Sequence, residues 1–197
     1  NVYGSMINGK EIKGANRTLL QVYNPFSSEA IGAISCATME DITLAVETAN
    51  EAFHYKMKNM PAIERADILR KTADLLEART EEFARMIVKE AGKPIRDARI
   101  EVIRAIYVLR LASDGAKNMY GEQIPMDSAP GGENQIGLVK RVPLGVVAAI
   151  TPFNLPLNTV LHKVAPAIAA GNTVVLKPAE KTPFSAFNLY QLFEEAG

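Results

Sequence analysis

The sequence predicts an α/β protein in which a parallel sheet follows a mostly helical region, with a short β excursion between the two. Three observations carry this prediction. Strand, helix, strand and helix patterns succeed one another between residues 143 and 197, the order that builds parallel sheets with right-handed crossovers. Residues 38–120 repeat apolar positions at helical spacing. Residues 121–141 interrupt that rhythm with Pro, Gly, Ser and Asn around two short β-forming runs.

The first element is a hairpin. In Ser5-Met-Ile-Asn-Gly-Lys-Glu-Ile12, the Asn8-Gly9 pair lies between short β-formers, and it favours the positive φ angles of a tight turn. Asn24-Pro25 marks the next turn, and residues 29–37 read as a strand. From Thr38 the period changes. Thr38 with Asp41 three residues on is a capping box, and Leu44, Val46, Ala49, Ala52 and Phe53 continue a helix to about His54.

Pro61 suits a helix start, with Ile63, Ala66, Ile68, Leu69, Ala73, Leu75 and Leu76 expected on one side. A further helix covers Glu81 to Glu90 and is stopped by Gly92 and Pro94. The next runs from about Ile95 to Tyr120, with an expected buried stripe of Ile100, Ile103, Ala105, Ile106, Leu109 and Leu111. The excursion then offers strands at Gln123 to Met126 and Gln135 to Arg141, on either side of Pro130-Gly-Gly132.

Leu144-Gly-Val-Val-Ala-Ala-Ile150 is a continuous apolar run, which implies a central strand buried on both faces. Residues 155–170 read as a helix despite Pro156 and Pro166, Thr173 to Lys177 as a second buried strand, and Ser185 to Ala196 as a last helix. Dinucleotides bind at the carboxyl ends of such strands.

The bulk composition narrows the function. With 197 residues, 48% of them apolar, the chain can bury a core. Its 22 basic and 22 acidic residues cancel, which leaves no basic surface for nucleic acid. Neither a secretory leader nor a run of about 18 apolar residues is evident, so no membrane association and a cytoplasmic location are expected. One cysteine, Cys36, cannot form an internal disulfide; its setting, Ala33-Ile-Ser-Cys-Ala37, reads as that of a small buried hydrophobe. His54 and His162 are too far apart in sequence for a metal-ligand spacing, so no metal is expected. Gly131-Gly132 is not flanked by the strand and helix of a phosphate-binding loop. The Met57 to Met60 stretch reads as loop or packing.

The segment Pro143-Leu-Gly-Val-Val-Ala-Ala-Ile-Thr-Pro-Phe-Asn-Leu-Pro-Leu157, followed by Lys163-Val-Ala-Pro-Ala-Ile-Ala-Ala-Gly-Asn-Thr-Val-Val-Leu-Lys-Pro-Ala-Glu180, resembles the first nucleotide-binding unit of the aldehyde dehydrogenase superfamily. Asn24-Pro25, Glu90-Ala-Gly-Lys-Pro94, Gly121-Glu-Gln-Ile-Pro125 and Glu194-Glu-Ala-Gly197 stand where that family has similar blocks. The resemblance implies an incomplete three-layer αβα, Rossmann-like parallel sheet. It also implies a division into residues 1–120 (hairpin and helices), 121–142 (β excursion of oligomerisation-arm type) and 143–197 (first βαβα unit of the NAD(P)-binding domain).

It further implies the roles of individual residues. Asn154, in the Pro-Phe-Asn motif, matches the family's active-site asparagine. When a thiolate attacks an aldehyde, the carbonyl oxygen becomes anionic, and a fixed amide donor stabilises that charge more than it stabilises the ground state. Spacing alone also admits a competing role, in which Asn154 merely caps the helix beginning near Leu155. Lys177 and Glu180 match the adenosine-ribose contacts, although such residues are ordinarily just solvated charges in a loop. A carboxylate accepts hydrogen bonds from a free 2′-hydroxyl and repels a 2′-phosphate, so Glu180 tilts the cofactor towards NAD, with NADP also open. Ile150, Thr151, Pro152 and Phe153 would line the cofactor and substrate path.

No Gly-x-Gly-x-x-Gly occurs, which suits a family that binds the pyrophosphate through another segment. That segment, the general-base glutamate and the nucleophilic cysteine are expected beyond Gly197, so the 197 residues alone are expected to be inactive. The resemblance thus implies an NAD(P)-dependent oxidation of an aldehyde to a carboxylate by a homo-oligomeric full-length enzyme. Phe153, in place of the commoner Trp, keeps open an acylating or acyl-phosphate-reducing relative, and a non-catalytic dinucleotide-binding or interaction fragment is the reading from a different class.

Overall fold

The computed structural model of the chain describes residues 1–14 and 17–197. It begins with β1 (Val2–Tyr3), β2 (Ser5–Ile7) and β3 (Lys10–Ile12). β2 and β3 form the expected hairpin, pairing Ser5 with Ile12 and Ile7 with Lys10. Asn8 and Gly9 have φ of 50° and 72°, the positive pair that matches a two-residue turn to the twist of its strands. β4 (Leu19–Tyr23) and β5 (Ala30–Ser35) are antiparallel, and β1 joins β5 in parallel to complete a three-stranded sheet. Between β4 and β5, the Asn24 side-chain oxygen accepts from the Phe26 backbone N–H at 2.9 Å, which forms the turn.

α1 (Met39–Tyr55) starts on the expected capping box: Asp41 N–H donates to the Thr38 hydroxyl, and Thr38 N–H donates to Asp41. Leu44 and Val46 are exposed, whereas Asp41 and Phe53 are buried. α2 (Ala62–Ala78) buries Ala66, Leu69, Ala73 and Leu76 and leaves Ile63 outside. α3 (Thr80–Ala91) ends at Gly92, which has φ of 67°. There a Cβ would lie 2.7 Å from Cγ of Pro25, so Gly92 joins two of the blocks that carry the resemblance.

α4 (Ile95–Lys117) corrects the expected stripe. Ile100, Ile103 and Leu111 face outward, and the buried face consists of Ala98, Glu101, Val102, Ala105, Ile106 and Leu109. Both sets repeat at helical spacing, and the helix turns inward the one whose smaller residues let α2 and α5 approach closely. Glu101 is the charged member of that inner face.

β6 (Glu122–Pro125) and β7 (Ile136–Val139) form an antiparallel ribbon that pairs Gln123 with Leu138. Ile136 and Leu138 are both 77% exposed on it. β8 (Val146–Ile150) and β9 (Thr173–Lys177) pair in parallel and are linked by α5 (Asn158–Ala169); α6 (Phe184–Ala196) follows β9. α1 and α5 both pack against this pair. β8 is not buried on both faces as its apolar run suggested: Ala149 is buried, but Ala148 and Ile150 are exposed. Among the described residues β8 has one strand neighbour, β9, and its run of apolar side chains is only partly covered.

The main core lies among the helices. Leu69 and Leu76 of α2, Phe83 and Ile87 of α3, Leu109 of α4, Leu161 of α5 and Leu189 and Leu192 of α6 meet there at 2% exposure or less. This core holds α5, and with it the segment that joins β8 to α5.

Candidate active site at the carboxyl ends of the parallel strands

In-register pairing of Ile150 with Lys177 brings the carboxyl ends of β8 and β9 together. Thr151 N–H continues the ladder by donating to Lys177 O at 3.2 Å. The chain then leaves the sheet through Pro152, Phe153 and Asn154, all exposed. Phe153 O accepts from the Thr182 hydroxyl at 3.4 Å, and Lys181 Nζ stands 5.4 Å from the centre of the Phe153 ring. On the far side, Leu155 O accepts from the Thr159 N–H at 3.1 Å and from the Thr159 hydroxyl at 2.7 Å. Asn154 thus sits between two backbone carbonyls that are both held, with its own side chain towards solvent.

Asn154 does not cap α5. The capping position is Leu157, and no side chain of that residue serves as the cap. A carboxylate from another helix does the work: Oε1 of Glu101 accepts from Leu157 N–H at 3.0 Å and Asn158 N–H at 3.2 Å. This acceptor, placed beyond Pro156, explains why α5 begins at Asn158 rather than near residue 155. The other carboxylate oxygen of Glu101 is paired with Lys93. An internal anion therefore occupies the positive end of α5, which removes it as an anion site for a ligand.

The next helix repeats the device. Glu90 accepts from the N–H groups of Phe184 (2.7 Å) and Ser185 (3.0 Å) and from the Ser185 hydroxyl at the start of α6. Burial pushes its carboxyl up to about 7, against the opposing pull of those three donors. At the other end of α5, Arg65 donates to Ala169 O at 3.0 Å, and Asn172 bridges Ala167 O (3.2 Å) to the N–H groups of Leu144 (2.7 Å) and Gly145 (3.0 Å). The beginning of β8 and both ends of α5 are therefore held by buried polar groups.

Lys177 and Glu180 lie side by side, Nζ to Oε2 at 3.6 Å, and both are exposed. The Glu180 carboxyl is held below its ordinary value by its own backbone N–H and by the Lys177 ammonium. Ile150 (66% exposed) and Phe153 (54%) add uncovered apolar surface beside this pair. The structure thus brings all seven sequence-predicted site residues to one end of the β8–β9 pair. Thr151 alone among them is buried, and its hydroxyl has no hydrogen-bond partner.

Other sequence candidates lie elsewhere. Cys36 follows β5 in the other sheet and is half-buried rather than buried. His54 and His162 are exposed on α1 and α5. Gly131 and Gly132 form part of the turn region between β6 and β7, and Met57–Asn59 is a single 3₁₀ turn. Sequence reasoning met Glu90 and Lys93 only as members of the Glu90–Pro94 block, without their polar roles, and missed Glu101 altogether. The signal that could have found Glu101 is a carboxylate in phase with Ala98, Val102 and Ala105.

The aldehyde dehydrogenase family model matches residues 12–197 of the chain. 3-Sulfolactaldehyde dehydrogenase of Priestia megaterium is 47% identical over 196 residues, which make up 99% of this chain and 40% of that protein. Lactaldehyde dehydrogenase of Methanocaldococcus jannaschii is 40% identical over 190 residues, 96% of this chain and 39% of the relative. Among solved structures, the NADP complex of NADP-dependent glyceraldehyde-3-phosphate dehydrogenase from Bacillus halodurans superimposes with a TM-score of 0.94 at 36% identity, covering 100% of this chain and 41% of the other. Aldehyde dehydrogenase 21 of Physcomitrella patens, in complex with succinate, superimposes with a TM-score of 0.92 at 38% identity, covering 99% and 40%. The chain spans about 40% of the length of the curated relatives it matches.

Proposed function

The chain belongs to the aldehyde dehydrogenase family, and from this we propose that it supplies the cofactor side and the oxyanion donor of an NAD(P)-dependent oxidation of an aldehyde to a carboxylate. The observation that carries this reading is the state of Asn154. Its amide is exposed, the capping role open to it is filled by Glu101, and the carbonyls of Phe153 and Leu155 on either side of it are both held. The backbone on both sides of this amide is held and, among the described residues, the amide has no competing partner, so it is available to donate to an oxygen on which negative charge develops.

The residues at the strand ends fit a dinucleotide. Lys177 and Glu180 offer a donor and an acceptor close together, suited to ribose hydroxyls, and the exposed side chains of Ile150 and Phe153 offer apolar contact. Glu180, an anion under ordinary conditions, accepts from a 2′-hydroxyl and repels a 2′-phosphate, which favours NAD; Lys177 suits either cofactor. Lys177 and Glu180 would hold the ribose of a bound nicotinamide cofactor, which would supply the hydride acceptor for the reaction. Asn154 donates from its side-chain amide to the aldehyde oxygen as a cysteine thiolate of the complete enzyme adds to the carbonyl carbon. Thr151 and Pro152 carry the chain from the sheet to Phe153 and Asn154, and in this reading all four line the cofactor and substrate path. After loss of hydride the carbon remains bonded to sulfur as an acyl group, and water cleaves that carbon–sulfur bond to release the carboxylate and return the thiol.

The division into residues 1–120, 121–142 and 143–197 accompanies this reading, with the β6–β7 ribbon as an oligomerisation element whose uncovered Ile136 and Leu138 await a second copy. We place the enzyme in the cytoplasm as a homo-oligomer. No helix among the described residues is long and apolar enough to cross a membrane.

Steady-state kinetics of the full-length protein with short aldehydes and NAD test the proposal. Asn154→Ala is expected to lower kcat by about 10²- to 10³-fold while leaving NAD binding in place. Unchanged turnover in that variant would refute the role of Asn154. Glu180→Gln is expected to raise the relative use of NADP, and an unchanged preference would remove Glu180 from cofactor selection.

A further inference from the structure

Glu101 lies outside every motif at the strand ends, yet among the described residues it is the acidic side chain that hydrogen-bonds to the segment following Asn154. Its side chain is 1% exposed, and two of its contacts are the N–H groups of Leu157 and Asn158, three and four residues after Asn154. Isolated burial of a carboxylate is costly, and two backbone donors together with the Lys93 ammonium offset that cost. Lys93 belongs to the loop between α3 and α4, so the carboxylate is gripped from one side by that loop and grips α5 from the other. Few partners could replace it. Leu157 is fully buried, Pro156 is buried beside it, and no side chain at the capping position supplies an acceptor.

From this geometry we propose that Glu101, held by Lys93, is a positioning residue for Asn154. The proposal rests on the oxyanion reading of Asn154 above. The mechanism is mechanical as well as electrostatic. The three residues from Asn154 to the first capped N–H form a short turn ahead of α5, so the position of the Leu157 N–H sets where the Asn154 amide stands. A displacement of the order of 1 Å in such a group lowers a rate by about 10²-fold. The carboxylate also opposes the positive end of α5, so that Asn154 acts as a neutral donor beside a helix terminus that has been neutralised.

Glu101→Leu and Lys93→Met, each made alone and together with Asn154→Ala in the full-length enzyme, form a pair of double-mutant cycles. Glu101→Leu is expected to lower kcat by about 10²-fold in the folded enzyme, with KM for NAD little changed, because the ribose-binding pair is on another loop. Lys93→Met retains the carboxylate and is expected to cause a smaller loss of kcat. In the Asn154→Ala background, either change should add little, since a positioning residue has nothing left to position. If Glu101→Leu does not fold, Lys93→Met carries the same comparison. Losses that multiply in the double variants would show Glu101 to be merely structural, and full kcat in the folded single variants would overturn the proposal. If Asn154→Ala alone leaves kcat unchanged, the oxyanion reading fails, and the positioning role falls with it.

Discussion

Replacing Glu90 by Gln tests the second buried cap through its pH dependence. Glu90 is 3% exposed, and its carboxyl is pushed from 4.5 up to about 7 by burial, the nearby Glu101 adding a smaller push. A folded-state value above the unfolded one means that the folded chain holds the extra proton between those two values. Stability from this group is therefore complete below about pH 4.5 and is lost as pH rises through about 7. At roughly 1.4 kcal/mol per pH unit, the loss amounts to about 3 kcal/mol. Gln cannot titrate, so the variant lacks this loss. It has a constant cost instead: its amide nitrogen meets one of the N–H groups at Phe184 and Ser185, a mismatch worth about 1–3 kcal/mol. Urea unfolding of both forms at about pH 5 and about pH 8 should therefore show the variant clearly weaker at the lower pH and close to the parent at the higher. A difference that stays constant or widens with pH would refute the assignment of a raised pKa to Glu90.

Two further outcomes follow from the same polar framework. Gly92→Ala should destabilise by about 1–2 kcal/mol in chemical unfolding, because φ is 67° and the new Cβ would lie 2.7 Å from Cγ of Pro25; unchanged stability would contradict the left-handed cap. Asp41→Asn should weaken the chain at neutral pH and flatten its acid response. The Arg17 guanidinium, helped by the Thr38 N–H, holds the Asp41 carboxyl down to about 2, so its stabilisation is present above about pH 3.8 and is lost as pH falls towards 2. Thermal unfolding followed across that acid range checks this, and identical slopes for the two proteins would refute it.

What the sequence determined by itself was local. Asn8-Gly9 demanded a turn with positive φ, Thr38 and Asp41 satisfied each other's backbone, Gly92 ended α3, and the runs at 146–150 and 173–177 each became a strand. Each of these outcomes depends on residues within a few positions of one another, so the chain alone expresses it. The candidate site was legible through an ordered set of motifs, and the fold brings Asn154, Lys177 and Glu180 to one end of the β8–β9 pair. Tertiary structure decided the rest. β4 has one buried residue, Val22, and became a strand through its pairing with β5. Two apolar faces of α4 competed, and packing against α2 and α5 selected the one containing Glu101. The start of α5 and the freedom of the Asn154 amide were then settled by that carboxylate, 56 residues before Leu157 in the chain. A backbone N–H is satisfied by whichever acceptor the fold delivers, and that acceptor came from a helix whose sequence shows only a glutamate among apolar neighbours.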